Sequence, residues 1–554
     1  MDHLNYPDIS MYALIKQTAE KYPNYRALEY FGAGISYKRL LKEIDRTAAA
    51  FVRMGVKKGD RVSLCMPNIP QAVFAFYGLN KIGAVPNMIH PLSAGEEIKY
   101  YLKLSRSKTV VAVGQLREKL ETLIPQTEAE NVIIAPVEDH MPPVTRLVYR
   151  ISNRSQKPIA PFMTLWRDFI RTGDGADNAD VNVSPEYNGT GNDDGAILYS
   201  GGTTGKPKGI MLTNLNFNAL ALESINGCGC LAAGDRVLSV MPVFHGFGLG
   251  VCIHTVLCFG GCAVILPKFS ARDFDKLIGK YRPNIIAGVP AIYEAMLREN
   301  SLQKTDLSFI KCVISGGDCL PLATKEKMDN FLKAHGCGVQ IREGYGLTEC
   351  VTGTCLNPDD DNRPGSVGLP YADNEYKIID PASGRELPCG EVGEIILRGP
   401  AVMKEYIDEP EETALALRKR EDGHTWLYTG DLGYMDKDGY VYFKQRLKRM
   451  IVSGGYNIYP VNIENVLNSH KEVVLSAVIG IPDKIMGQRV KAYVTAKTED
   501  TERLKGELLR LCAERISRYS IPKEIEFVND LPRTLVGKID YNALEAPGAD
   551  SDNS

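Results

Sequence analysis

Between Tyr199 and Gly209 the chain reads Tyr-Ser-Gly-Gly-Thr-Thr-Gly-Lys-Pro-Lys-Gly. An apolar run, Ala196 to Tyr199, precedes it and has the character of a buried strand's end. The glycines allow a tight turn that exposes backbone N–H groups. Ser200, Thr203 and Thr204 add hydroxyls, and Lys206 and Lys208 add positive charge. Such a set suits a polyphosphate, and it also suits a solvated glycine-rich surface loop. A Walker A loop is excluded, because three residues separate Gly201 from Gly205 and Pro207 follows Lys206.

Other stretches are bland when read singly. Glu349 follows a glycine-rich turn in Glu343-Gly344-Tyr345-Gly346-Leu347-Thr348-Glu349 and could be a solvated acid. Asp431, in Tyr428-Thr429-Gly430-Asp431, could be a turn aspartate bonded to its own backbone. The bases of Lys444–Arg449 could form a solvated face, and Lys538 could be an ordinary surface lysine. Ser315-Gly316-Gly317-Asp318 follows an apolar strand, at the carboxyl end where open α/β sheets bind ligands. Ser200, Ser315 and Ser453 lack the glycine two residues earlier that a nucleophile elbow requires, which argues against a serine hydrolase.

Together and in this order, these stretches resemble the motifs of adenylate-forming enzymes: acyl-CoA synthetases, luciferases and peptide-synthetase adenylation domains. The resemblance extends over nearly the whole chain. It implies that ATP activates a carboxylate as an acyl-adenylate, which a thiol then attacks. Ser200, Gly201, Gly202, Thr203, Thr204, Gly205 and Lys208 would grip the β- and γ-phosphates. Tyr345, beside Gly344, would pack on adenine, with the Gly316-Gly317 backbone on its other side. Thr348 would reach the α-phosphate, and Glu349 with Thr204 would hold Mg²⁺. Asp431 would take the ribose hydroxyls, for which two acceptor oxygens are well suited. Arg446 would contact ribose and phosphate, although Gln445 stands where Gly or Asp often precedes it. Lys448 is at the family's pivot position, and Gly454 and Gly455 would admit a pantetheine arm. Lys538, in Pro532-Arg533-Thr534-Leu535-Val536-Gly537-Lys538, would be the catalytic lysine of adenylation. Asp318 departs from the small residue or Glu expected there.

In Met241-Pro242-Val243-Phe244-His245-Gly246, His245 stands where amino-acid-activating relatives carry an Asp, so an amine-bearing substrate is disfavoured. His245 would gate the pocket or orient the carboxylate, or else be a satisfied core histidine. Gly248, Gly250, Gly288, Val289, Ile292, Tyr293 and Val351 are the expected lining of an apolar slot. The resemblance thus implies an AMP-forming acyl-CoA synthetase for a medium- or long-chain fatty acid, with ATP, Mg²⁺ and CoA. Two alternatives are an acyl-AMP ligase loading a separate carrier protein and an aryl- or sterol-type CoA ligase. A nucleotide-binding scaffold without catalysis is disfavoured by the presence of Thr348, Glu349, Asp431, Arg446 and Lys538.

The elements that must position these residues are legible in the pattern. Through the first half, buried-strand runs (Arg61–Met66, Ala84–Met88) alternate with helical ones (Met11–Tyr22, Tyr37–Met54, Ile69–Gly83, Ala94–Ser105), which predicts doubly wound, mostly parallel sheets. Residues 138–193, rich in Pro and then in Gly, Asn and Asp, read as a surface excursion with one amphipathic piece at Phe162–Arg171. The basic run Arg146 to Arg154 is either a solvated face or a membrane-surface contact. Alternation resumes after the glycine loop and gives way near Gly353 to short β-type runs, a small distorted β-barrel over 353–445. The expected division is an N-terminal adenylation domain (1–445), a hinge (446–448) and a mobile α+β C-terminal domain (449–554).

At 554 residues, 44% hydrophobic and 24% charged, the composition is that of an ordinary globular protein of more than one domain. A net charge of −3 gives no nucleic-acid footprint. No secretory signal or apolar run of membrane-spanning length is present. Thirteen cysteines without zinc-type spacing fit reduced thiols in a cytoplasmic protein.

Overall fold

The computed structural model describes residues 3–152, 160–173, 187–200, 207–267, 274–298, 305–453, 456–483, 486–534 and 538–545. Two large sheets dominate. The nine-stranded sheet has Cys262–Ile265, Arg236–Ser239, Ile285–Gly288, Cys312–Ser315 and Ile341–Tyr345 as its parallel centre. In the eight-stranded sheet, Asp194–Ser200, Val85–Met88, Arg61–Cys65, Thr109–Val113 and Asn131–Ala135 run parallel in that order. These strands are apolar on both faces because helices cover both.

The helices of the two sheets meet in one apolar core. Pro70–Lys81 is buried on every side as far as Asn80, which is why its sequence shows little amphipathic periodicity. The contact includes a polar relay: the Tyr77 hydroxyl bonds His254 Nδ1 (2.9 Å), and His254 Nε2 bonds Asn218 (3.0 Å). Burial pushes the His254 imidazole down to about 3, so it is neutral.

Glu375–Ile379, Gly393–Arg398, Thr425–Met435 and Leu417–Lys419 form an antiparallel sheet, with Val441–Arg446 also paired to Thr425–Met435. Cys355–Leu356 and Leu369–Pro370, within the same stretch of sequence, instead extend the nine-stranded sheet. The two sheets join where Val441 and Gly368 exchange backbone contact. Beyond Ile451 the chain has apolar clusters of its own, built on Val473–Asp483, Gly487–Ala496 and the helices Pro460–Asn468 and Thr501–Arg515.

The excursion expected over 138–193 is corrected in part. Met163–Leu165 is a strand parallel to Asn131–Ala135, and Trp166–Gly173 packs Phe169 against Phe51, ring centroids 4.9 Å apart. A further helix spans Pro143–Ser152. The paired prolines that suggested a loop lie at and before this helix's first turn, where proline is tolerated. All thirteen cysteines are free thiols, as expected. Among the described residues, no helix is long and apolar enough to cross a membrane.

The join between sheets gives a test. Gly368 has φ +96°, and a Cβ there would lie 2.0 Å from the Asn357 nitrogen. Gly368→Ala should cost about 3 kcal/mol of stability, from positive φ plus a backbone clash. Gly423→Ala, also at positive φ but in open space, should cost about 1 kcal/mol. Denaturant midpoints of the two variants check the difference.

Candidate functional site

Adjacent parallel strands Cys312–Ser315 and Ile341–Tyr345 deliver Gly316-Gly317 and Gly344-Tyr345-Gly346 side by side at their carboxyl ends. No side chain fits at Gly346, where a Cβ would come within 1.2 Å of the Thr352 carbonyl oxygen. The Tyr345 hydroxyl donates to Asp431 Oδ2 at 2.7 Å. Asp431 is held by its turn: the Thr429 hydroxyl accepts its N–H (3.0 Å) and donates to the Ile395 carbonyl (2.6 Å). Arg446, register partner of Asp431, places Nε 3.6 Å from Oδ1. Oδ1 is buried and accepts no hydrogen bond. Burial pushes the Asp431 carboxyl above its usual range, against the pull of Arg446.

Lys538 comes to this site from the far end of the sequence. A methyl group on Gly317 would lie 4.0 Å from its Nζ. Burial lowers the pKa of the ammonium, which the charge of Asp318 opposes; Arg446 lowers it and Asp431 raises it. A short backbone loop fixes the position, with Thr534 N–H donating to the Lys538 carbonyl (2.7 Å) and Asp540 N–H to that of Pro532 (2.8 Å). Arg533 lies 3.8 Å from Glu294 on the helix Pro290–Arg298. Asp318, unassigned from sequence, therefore faces Lys538.

At the other end of the site, Ser200 ends its strand opposite Lys208 in an antiparallel pair. Gly201, Gly202, Thr203, Thr204 and Gly205 lie outside the described residues, as do Gly454 and Gly455. Lys208 pairs with Glu412 and stands 4.7 Å from the Tyr406 ring centroid. The Tyr406 hydroxyl donates to Glu349 Oε1 (2.8 Å). Tyr406 and Glu412 thus link Lys208 to Glu349, and sequence reasoning missed both. Tyr406 arrives by pairing with Ile210 across the edge of the eight-stranded sheet, a partnership that no local pattern announces. Thr348 opens the short turn Thr348–Cys350 beside Glu349, and Lys448 is exposed in the turn Leu447–Arg449.

His245 sits one residue before Gly246, where a Cβ would come within 1.6 Å of the Val351 oxygen. Its Nδ1 accepts from the Phe247 N–H at 3.2 Å. Burial, with the charge of Lys538, pushes the imidazole down to about 3. The ring is neutral and carries its proton on Nε2.

From Phe247 to Thr255 the backbone forms a wide π-helix, a form that often marks functional sites. It borders a cleft whose apolar walls include Phe247, Val251, Val256, Phe259, Leu231 and Ile314. Gly316, Gly317 and Gly344 also line it, so it opens onto the Lys538–Asp431 site. The expected lining is corrected. Tyr293 is buried with its hydroxyl on the Ile314 carbonyl (2.5 Å), a Cβ on Gly288 would meet Ile292, and one on Gly250 would meet Leu220 and Val351.

Residues 15–407 match the family model described as AMP-binding enzyme, and 462–538 match that of the AMP-binding enzyme C-terminal domain. The chain belongs to the AMP-binding enzyme family. The resemblance read from its motifs is borne out: this is an adenylate-forming acyl-CoA synthetase, a ligase. It is 32% identical to a long-chain-fatty-acid–CoA ligase of Bacillus subtilis, over 96% of this chain and 93% of that one. Among solved structures, an anthranilate CoA ligase in complex with anthranoyl-AMP superposes with a TM-score of 0.85 at 26% identity, covering 97% of this chain and 96% of that one. A long-chain-fatty-acid–CoA ligase of Archaeoglobus fulgidus gives 0.70 at 26% identity, covering 95% and 98%.

Glu343, next to the family's glycine turn, is buried with Oε1 unpartnered. Burial pushes its carboxyl up to about 8, against the pull of Lys325. A folded-state pKa above the unfolded value stabilises the protein fully below about 4.5. That contribution is lost as pH rises through about 8. Glu343→Gln should therefore gain stability over the wild type as pH rises from 5 to 8.5. A difference in thermal midpoint that stays constant across that range would contradict the assignment.

Proposed function

We propose that this acyl-CoA synthetase activates a medium- or long-chain fatty acid with Mg²⁺ and ATP and transfers the acyl group to free CoA. One observation carries the reading: Lys538, Asp431, Tyr345 and the Gly316-Gly317 backbone converge at the opening of an apolar cleft. A fatty carboxylate there would leave its chain among Phe247, Val251 and Val256 and its head beside Lys538. The Bacillus subtilis relative is named for the same substrate class.

In the first half-reaction a carboxylate oxygen attacks the α-phosphorus, and the bond to the β-phosphate oxygen breaks, releasing pyrophosphate. Lys538, desolvated, would neutralise charge between the two reacting anions. The neutral His245 would donate from Nε2 to the carboxylate and orient it. Asp431 would accept a ribose hydroxyl on its free Oδ1 while Tyr345 holds Oδ2 and packs against adenine. Arg446 would flank ribose and phosphate, and Thr348 would reach the α-phosphate. Ser200, Gly201, Gly202, Thr203, Thr204, Gly205 and Lys208 would hold the outer phosphates, Lys208 exchanging Glu412 for them. That exchange costs little, because the pair is partly exposed. Glu349 and Thr204 offer the hard oxygen donors that suit Mg²⁺, which would neutralise the phosphate charge.

In the second half-reaction the thiol sulfur attacks the acyl carbon, the bond to AMP breaks and the thiol proton passes to solvent. The C-terminal part would swing about Lys448 for this step, bringing Gly454 and Gly455 to the pantetheine arm.

Pyrophosphate release over a panel of carboxylic acids, with and without CoA, tests the assignment. Release should be strongest with medium- or long-chain acids, and acyl-CoA should accumulate only with CoA present. Preference for a benzoate-type acid, or acyl-AMP unaffected by CoA, would refute it. Lys538→Ala should slow adenylation by about 10²-fold or more while preformed acyl-AMP still reacts with CoA. Equal loss of both half-reactions would refute the alternation.

A further inference from the structure

The helix Pro143–Ser152 turns an apolar stripe to solvent. Val144, Leu147, Val148 and Ile151 follow the spacing of one helical face, and they are 76%, 61%, 59% and 68% exposed. The other side mounts the helix on the protein. Arg146 donates to the Met141 carbonyl (3.1 Å), Arg150 pairs with Glu138 and Asp139 (3.3 and 3.5 Å), and the Tyr149 hydroxyl accepts from Gln115 (3.4 Å). A core helix is mounted the other way round. Single exposed apolar residues are ordinary, but a contiguous stripe marks an interaction surface.

Charge around the stripe indicates its partner. From Met141 to Arg167 the sequence holds Arg146, Arg150 and Arg167, with Arg154 and Lys157 outside the described residues, and no acidic residue. Arg39 and Arg46, on the helix Tyr37–Arg53, act with Arg146 on His140, and Arg167 acts on Asp139. The nearby acids Glu43, Glu138 and Asp139 each have an arginine partner. The district is basic in a chain whose net charge is −3. An apolar stripe framed by cations has the composition of a helix lying on anionic lipid. At ten residues the helix is about 15 Å long, too short to span a bilayer.

We propose that this helix docks the protein reversibly on an anionic lipid bilayer, with Val144, Leu147, Val148 and Ile151 entering the headgroup–acyl boundary. The placement suits an enzyme of apolar substrates, although the docking does not rest on that reading. The parallel strands Asp194–Ser200, Val85–Met88, Arg61–Cys65, Thr109–Val113 and Asn131–Ala135 are consecutive neighbours. Ser200 ends the first, and the docking helix follows the last in sequence. The first and last of these strands are four strand spacings, about 19 Å, apart.

Flotation of the full-length protein with vesicles tests this, using phosphatidylcholine alone or with about 30 mol % phosphatidylglycerol. The wild type should float with the anionic vesicles and much less with neutral ones. A Leu147→Glu/Ile151→Glu double variant should bind the anionic vesicles at least about tenfold more weakly, with an unchanged thermal midpoint. Equal flotation of wild type and variant, or no flotation of the wild type, would overturn the proposal. So would a wild-type dimer that the double variant dissolves in the absence of vesicle binding, which would make the face a protein interface.

Discussion

Removing a charge from water is costly unless an opposite charge stands near it, and the site is organised by that constraint. Lys538 is desolvated and faces the acids Asp318 and Asp431. Asp431 is buried, held by Tyr345 on one oxygen and drawn by Arg446 near the other. Four parts of the chain contribute to this balance: the ends of two nine-stranded-sheet strands, the antiparallel sheet and the C-terminal segment. None of them makes the site alone. The Val441–Gly368 junction aligns Asp431 with Tyr345, and the docked C-terminal segment brings the ammonium.

Backbone crossings fix the geometry that these charges need. Gly246, in the loop after Ser239, lies against the Val351 carbonyl in the loop after Tyr345, and within that second loop Gly346 lies against the Thr352 carbonyl. Val351 holds φ at 61°, a conformation costly for a β-branched residue. Such strain persists only where the surroundings over-determine it, and here the neighbouring loop does so. His245, one residue before Gly246, is neutral and feels the charge of Lys538.

Much of this was legible because parallel strands buried on both faces announce themselves as apolar runs. Arg61–Cys65 and Val85–Met88 stand where their patterns predicted, and the glycine-rich motifs mark the strand ends that carry chemistry. The remainder depended on non-local information. Tyr406 and Glu412 reach Lys208 and Glu349 only through edge pairing. None of the residues expected to line the slot borders the cleft, and only Gly248 and Gly250 of them lie on the π-helix. Pro142 and Pro143 suggested a loop where proline starts a helix, and Met163–Leu165 is too short to reveal itself as a strand. Asp318 looked anomalous until the fold set it against Lys538.

The same charge balance bears on how the proposed two half-reactions could share a site. The C-terminal segment keeps its own apolar clusters, so undocking it would expose no such core. Some of what ties it to the larger lobe is polar. Arg533 stands 3.8 Å from Glu294, and Lys538 is held by acids at a distance rather than by a close pair. Polar interfaces between domains favour relative motion. Once pyrophosphate has left, there is less negative charge in the site to hold the ammonium there, and the desolvation cost of Lys538 then opposes docking. On this account the chemistry of the first step weakens the contact that the second step must break.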